Sequence, residues 1–154
     1  MGLPDKQAGY IQTAAMLHDI GRIHISTELL NKTGTLNDIE YKLVQTHAQK
    51  SFAIVNEIDF RGPVAEIVYQ HHERLDGSGY PRGLKGSQIL TEARILAVAE
   101  VVDAMLTHRA YRHAPGIAKA REELSDNKGS KYDIAAVDAC LDLFNNGEFA
   151  YKPV

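Results

Sequence analysis

Four polar or ionisable side chains sit where helical periodicity calls for apolar ones, and no other feature constrains the fold of this chain as strongly. Residues 8–20 (AGYIQTAAMLHDI) read as a helix, with His18 and Asp19 in its last turn. Gly21 is expected to end it in the left-handed position that glycine takes past a helix C-terminus. The next helix, over 37–58, repeats apolar residues at Leu43, Val44, Ile54, Val55 and Ile58, with His47 and Ser51 on the same stripe. The T-L-N-D run at 35–38 predicts a capping box, Thr35 as N-cap and Asp38 three residues on. Pro63 opens a third helix whose inner face is Val64, Ile67, Val68, His71 and Leu75. A fourth, over 91–107, is apolar on most sides but carries Glu100 and Asp103, three apart and so on one face.

The remaining segments fill in an all-α reading. IHISTELLNKTGTL is a loop with one short helical turn, and 76–88 (DGSGYPRGLKGSQ) has four glycines and a proline, which predicts a tight loop. Two amphipathic helices, 116–124 and 133–146, flank the polar turn DNKGSK. No strand pair and no internal repeat interrupts them. At 154 residues, with 44% hydrophobic and 24% charged residues, the chain reads as one globular domain over 1–154. A net charge of -3 argues against a broad surface for DNA or RNA. The lone Cys140, in VDACLDLF, forms no internal disulfide and reads as a small buried hydrophobe, which fits a reducing cytoplasm. No apolar run is long enough for a membrane segment, and the first residues lack a signal-peptide core.

Each inward polar residue has a bland explanation taken alone: a satisfied core histidine, or a solvated pair at a helix end. Glu100 resists it most, because burying an unpaired carboxylate is costly. Together, three helices each direct a His toward the core and a fourth directs a carboxylate there. Neutral imidazoles and carboxylates suit Mn, Fe or Zn, and an Asp can bridge two ions through its two oxygens. The absence of cysteine from the set disfavours a structural zinc site. His18, Asp19, His47, His71 and His72 are thus expected to form a metal centre.

The segments HDIG at 18–21, His47, HHERLDGSGYP at 71–81, ARILAVAEVVDAM and RAYR at 109–112 together resemble the HD-GYP branch of the HD-domain phosphohydrolases. The resemblance implies an all-helical bundle holding two or three metal ions, iron or manganese, and hydrolysis of cyclic di-GMP to linear pGpG or GMP. It implies that His18 and Asp19 are paired ligands with Asp19 bridging, that His47, His71 and His72 hold the second ion, and that Glu100 stands at a ligand position. Asp19 and Arg22 are the implied catalytic residues. Arg22, Gly79, Tyr80, Asp103, Arg109 and Arg112 are implied on the substrate side. The resemblance also implies that the glycine-rich loop around Tyr80 is a docking surface for a partner such as a diguanylate cyclase domain.

Three positions depart from the family pattern. Arg22 stands where the family has lysine, which replaces a proton donor with a fork-shaped phosphate clamp. Glu100 replaces an aspartate, and the extra methylene moves the carboxylate by roughly 1.5 Å. The chain begins about where the family has a further helix bearing another ligand, so the domain is expected to be N-terminally incomplete, with exposed apolar surface favouring a homodimer. The His47, His71 and His72 side is therefore expected to be complete and the His18 side depleted. A second reading follows: a catalytically degenerate signalling module that binds nucleotide or a partner without turnover.

Overall fold

The computed structural model describes residues 1–107, 115–147 and 149. Among them the chain forms seven α-helices: α1 (Asp5–Leu17), α2 (Thr27–Leu30), α3 (Asp38–Val55), α4 (Val64–Gln70), α5 (Thr91–Leu106), α6 (Ile117–Asp126) and α7 (Ile134–Asn145). Short 3-10 turns at Ile20–His24 and Gly86–Gln88 complete the order, and an isolated bridge pairs Lys128 with Tyr132. The all-α expectation holds.

Helix α5 is the spine, because its two halves bury different neighbours. Its first half, with Ala93 and Leu96, packs with Ala14 of α1, Val55 of α3 and Val64, Ile67 and Val68 of α4. Its second half, with Val98 and Val102, packs against Leu124 of α6 and Ala136 and Val137 of α7. An apolar helix of this kind gains most of its stability from burial on several sides. The entry to α5 is tied to α4 by Gln70, whose buried side chain accepts from Leu90 N at 2.8 Å.

Several local expectations are corrected. The first helix runs from Asp5 and ends at Leu17, with His18 as its C-cap in right-handed geometry. Gly21 does not adopt a positive φ. It lies in the 3-10 turn pressed onto α3, where a Cβ would come within 2.3 Å of His47 O and 2.5 Å of Ser51 N. Its own N–H donates to Ser51 Oγ at 2.8 Å. Close approach, not chain reversal, requires glycine there.

The α3 cap is also shifted. Asn37 is the N-cap, accepting from Glu40 N, while Glu40 accepts from Asn37 N; the box is Asn37/Glu40 rather than Thr35/Asp38. Lys32 selects this register, because its Nζ holds Glu40 at 2.6 and 2.7 Å from the preceding loop. Asn37→Ala is expected to lower stability by about 1 kcal/mol, whereas Thr35→Ala stays within about 0.5 kcal/mol; urea melts of the two variants check this. Leu43 and Ile58, placed on the inner stripe by periodicity, are 53% and 52% exposed. His47, Ser51 and Val55 are buried as expected.

Candidate metal centre

Two helix ends, those of α1 and α4, and two helix interiors, those of α3 and α5, converge here. His18 and Asp19 stand between α1 and the first 3-10 turn, His47 lies inside α3, and His71 is the C-cap of α4. His47 and His71 are 1% and 0% exposed. Their Nδ1 atoms sit 2.7 Å from Val44 O and 2.5 Å from Val68 O, and His18 Nδ1 sits 2.7 Å from Ala15 O. In each case the partner is a backbone carbonyl three residues earlier, which only accepts. Nδ1 therefore carries the proton, and the neutral ring presents Nε2 as a lone pair.

Those lone pairs face one another. His47 Nε2 lies 3.4 Å from His71 Nε2 and 3.1 Å from His72 Nε2. Asp19 Oδ1 is 3.3 Å from His47 Nε2, and Asp19 Oδ2 is 3.4 Å from His18 Nε2. A proton shared among the rings does not resolve this crowding. Burial lowers the proton affinity of His47, takes His71 down to about 3 and depresses His72 further still. Burial also opposes ionisation of Asp19, yet His18 and Arg22 outweigh it and bring its carboxyl down to about 2. His18 is correspondingly raised, the Asp19 contact overcoming its burial.

Three buried polar atoms in this cluster make no hydrogen bond: Asp19 Oδ1, Arg22 Nε and Glu100 Oε2. Arg22 Nε is only 2.8 Å from Asp19 Oδ1, an ion pair by distance without hydrogen-bond alignment. Converging imidazole lone pairs beside an ionised, orphaned carboxylate oxygen fit a divalent cation. His47, His71 and His72 supply one ligand atom each within a single grasp. Asp19, with one oxygen toward His47 and the other toward His18, stands between that group and a second position.

Glu100 is placed differently from the histidine group. Its Oε2 is 3.2 Å from His72 Nδ1, the ring nitrogen other than the one facing His47. Burial pushes its carboxyl up to about 7. Outside the cluster opens a cleft of about 950 Å³, lined among others by His18, Asp19, Arg22, Glu100 and Asp103. Asp103 is exposed on that wall and accepts from Thr107 Oγ1 at 3.4 Å. Arg109 and Arg112 lie outside the described residues.

The glycine-rich loop packs behind the histidine cluster. The Tyr80 ring lies over His72 with centroids 4.5 Å apart and is 6.4 Å from His47. Gly79 packs so tightly that a Cβ would fall 2.4 Å from His72 O and 2.5 Å from Arg74 N. Glu73 escaped the sequence reading. It is 2% exposed and accepts from two loop amides, Arg82 N at 2.7 Å and Leu84 N at 2.9 Å. An acidic residue ahead of a glycine-rich turn full of unpaired amides was the available signal. Glu73→Gln turns one acceptor oxygen into a donor facing an N–H; a loss of about 1–3 kcal/mol is expected by thermal or urea melts.

Similarity to known proteins points the same way. The HD-domain family profile matches residues 1–136. The chain is 39% identical to a cyclic di-GMP phosphodiesterase of Thermotoga maritima, over 93% of this chain and 39% of that protein. It is 35% identical to the 3'3'-cGAMP-specific phosphodiesterase 3 of Vibrio cholerae, over 93% of this chain and 32% of that protein. A cyclic di-GMP phosphodiesterase response regulator of Xanthomonas campestris is 39% identical over 92% of this chain. The chain thus spans between 32 and 39% of the length of these relatives. A crystal structure of a cyclic GMP-AMP-specific phosphodiesterase of Vibrio cholerae superposes with a TM-score of 0.70 over 96% of this chain and 40% of the other. At 20% identity that likeness shows the fold.

Proposed function

This chain belongs to the HD-GYP branch of the HD-domain family, and on that premise we propose that it is a metal-dependent phosphodiesterase that hydrolyses cyclic di-GMP to linear pGpG or GMP. The observation that carries the proposal is the convergence of three Nε2 lone pairs and Asp19 behind an open cleft. His47, His71 and His72 would hold one ion, with Asp19 bridging toward His18, and iron or manganese suits this nitrogen and oxygen set. Bound there, such ions would supply Lewis-acid polarisation of the phosphodiester and a more acidic water.

The chain's own residues do the rest. The carbonyls of Ala15, Val44 and Val68 hold three imidazoles in the ligating tautomer. Asp19 stays ionised, so its two oxygens are available on both sides. Arg22, at the cleft beside Asp19, presents a guanidinium to the phosphate oxygens and fixes the diester's orientation. Asp103 on the α5 wall faces the same cleft and meets the remainder of the nucleotide.

Protein loaded with Mn(II) or Fe(II) is expected to convert cyclic di-GMP to linear products resolved by chromatography, with activity abolished by chelator and restored by added ion. Metal-replete protein that leaves cyclic di-GMP intact overturns the proposal. Glu100 favours a second reading, a module that binds nucleotide without cleaving it. Its Oε2 is directed at His72 Nδ1, 3.2 Å away, which engages the carboxylate there rather than on the His18 side. Calorimetric binding of cyclic di-GMP with no products would select that reading, and turnover gained by Glu100→Asp would trace the defect to this one side chain.

A further inference from the structure

The cleft in front of the cluster has two chemically different halves. One is ionic, formed by His18, Asp19, Arg22, Glu100 and Asp103. The other carries most of the apolar lining, Leu29 and Leu30 of α2, Leu36 of the following loop, and Tyr41 and Val44 of α3, interspersed with the polar Asn31, Lys32 and Thr35. Tyr41, Val44 and His47 follow one another in steps of three along α3, so they are surface neighbours on that helix. Six residues of helix put Tyr41 about 9 Å along the axis from His47 and about a third of a turn around it. That rise is comparable with the reach from a nucleotide's phosphate across its sugar to its base.

Tyr41 is 51% exposed. Among the described residues its ring has no aromatic neighbour and its hydroxyl no hydrogen-bond partner, unlike Tyr80, whose ring sits tilted against His72. The wall behind it is preorganised. Lys32 and Glu40 tie the loop carrying Leu36 to the first turn of α3, and Glu40 also closes the Asn37 cap. An aromatic face beside leucines, half exposed and lining the same cleft as Asp19 and Arg22, has the chemistry of a stacking platform for a base.

We infer that Tyr41 is a specificity-determining residue that stacks a purine base in the apolar half of the cleft while the adjoining phosphate occupies the ionic half. This rests on the phosphodiesterase reading and adds the base subsite to it. Loss of one base–aromatic stack weakens binding roughly 5- to 100-fold.

The test compares GMP with ribose 5-phosphate, which offers the same phosphate and sugar without the base. Calorimetric titration of the Mn(II)-loaded chain is expected to show wild-type protein preferring GMP at least fivefold. Tyr41→Phe and Tyr41→Trp keep that preference. Tyr41→Ala and Tyr41→Leu lose it, the leucine variant separating stacking from mere apolar packing. In steady state Tyr41→Ala raises KM for cyclic di-GMP far more than it changes kcat. Because the side chain is half exposed, thermal melts of all four variants are expected to match wild type. Wild-type protein without a GMP preference, or a preference that survives in Tyr41→Ala, overturns the inference. Failure of wild-type protein to hydrolyse cyclic di-GMP overturns the phosphodiesterase reading instead, and the GMP to ribose 5-phosphate ratio still decides the platform.

Discussion

His71→Ala is expected to lose both its bound metal and any metal-dependent hydrolysis, the largest functional change available from a single residue. His71 is fully buried, its Nδ1 is committed to Val68 O, and its Nε2 completes the group with His47 and His72. Removing it leaves two imidazoles and one carboxylate oxygen, a set with much less hold on a divalent ion. A ligand present at a hundred times its dissociation constant stabilises the fold by about 2.7 kcal/mol. Wild-type protein should therefore melt several degrees higher with Mn(II) than with chelator, and His71→Ala should show no such difference. The metal-free variant should also be less stable than metal-free wild type by about 2–5 kcal/mol, from the cavity left in a packed interior. Elemental analysis checks the first expectation and paired melts the second. A His71→Ala chain that retains its full complement of ions would remove this residue from the centre. His24→Ala, at an exposed histidine outside the cluster, is the control that keeps its metal.

Gly79→Ala is expected to be the most damaging change in the glycine-rich loop, although it adds one methyl group. All three nearest neighbours of the added carbon are backbone atoms: His72 O at 2.4 Å, Arg74 N at 2.5 Å and Glu73 Cα at 2.5 Å. No side-chain rotation relieves that overlap, so the loop must lift off the end of α4. Lifting it disturbs the Glu73 contacts to Arg82 N and Leu84 N and moves the Tyr80 ring from His72. Overpacking of this kind costs about 3 kcal/mol or more, and metal retention should fall with it. Gly86→Ala offers a contrast, since it meets nothing within 4 Å and carries only the strain of a φ of +46°; about 1 kcal/mol is expected there. Urea titration of the two variants ranks them. Equal effects at the two positions would show that backbone strain, not the close approach to α4, dominates the loop.

Much of the histidine cluster was legible in the sequence for a simple reason. Helical periodicity is local, so a histidine on an apolar stripe points inward whatever the stripe packs against. His47 and His71 could be turned inward from spacing, His72 joined them through the family resemblance, and the structure brings His71 and His72 within hydrogen-bond range of His47. The long apolar helix 91–107 was legible in the same way and forms as α5. Leu43 and Ile58 show the limit of the method. Periodicity places them inside, but α3 is covered on only part of its circumference at Leu43 and ends at Val55, three residues before Ile58.

What the sequence determined by itself is the all-helical architecture, the inward placing of His47 and His71 on their helices and the presence of a tight glycine loop after them. Each follows from residue types and spacings within a dozen positions. Tertiary structure decided the remainder, because those features depend on atoms far apart in the chain. Gly21 is needed for its approach to His47 O and Ser51 N rather than for a left-handed turn. The α3 cap is Asn37 because Lys32 holds Glu40 in the partnering register. Glu73 braces the loop because Arg82 and Leu84 bring their amides back to it. Glu100 faces Nδ1 of His72 because α5 crosses the end of α4 at that depth. Ligand type is a local property of the chain, whereas the direction from which each ligand is held belongs to the packing of its helices.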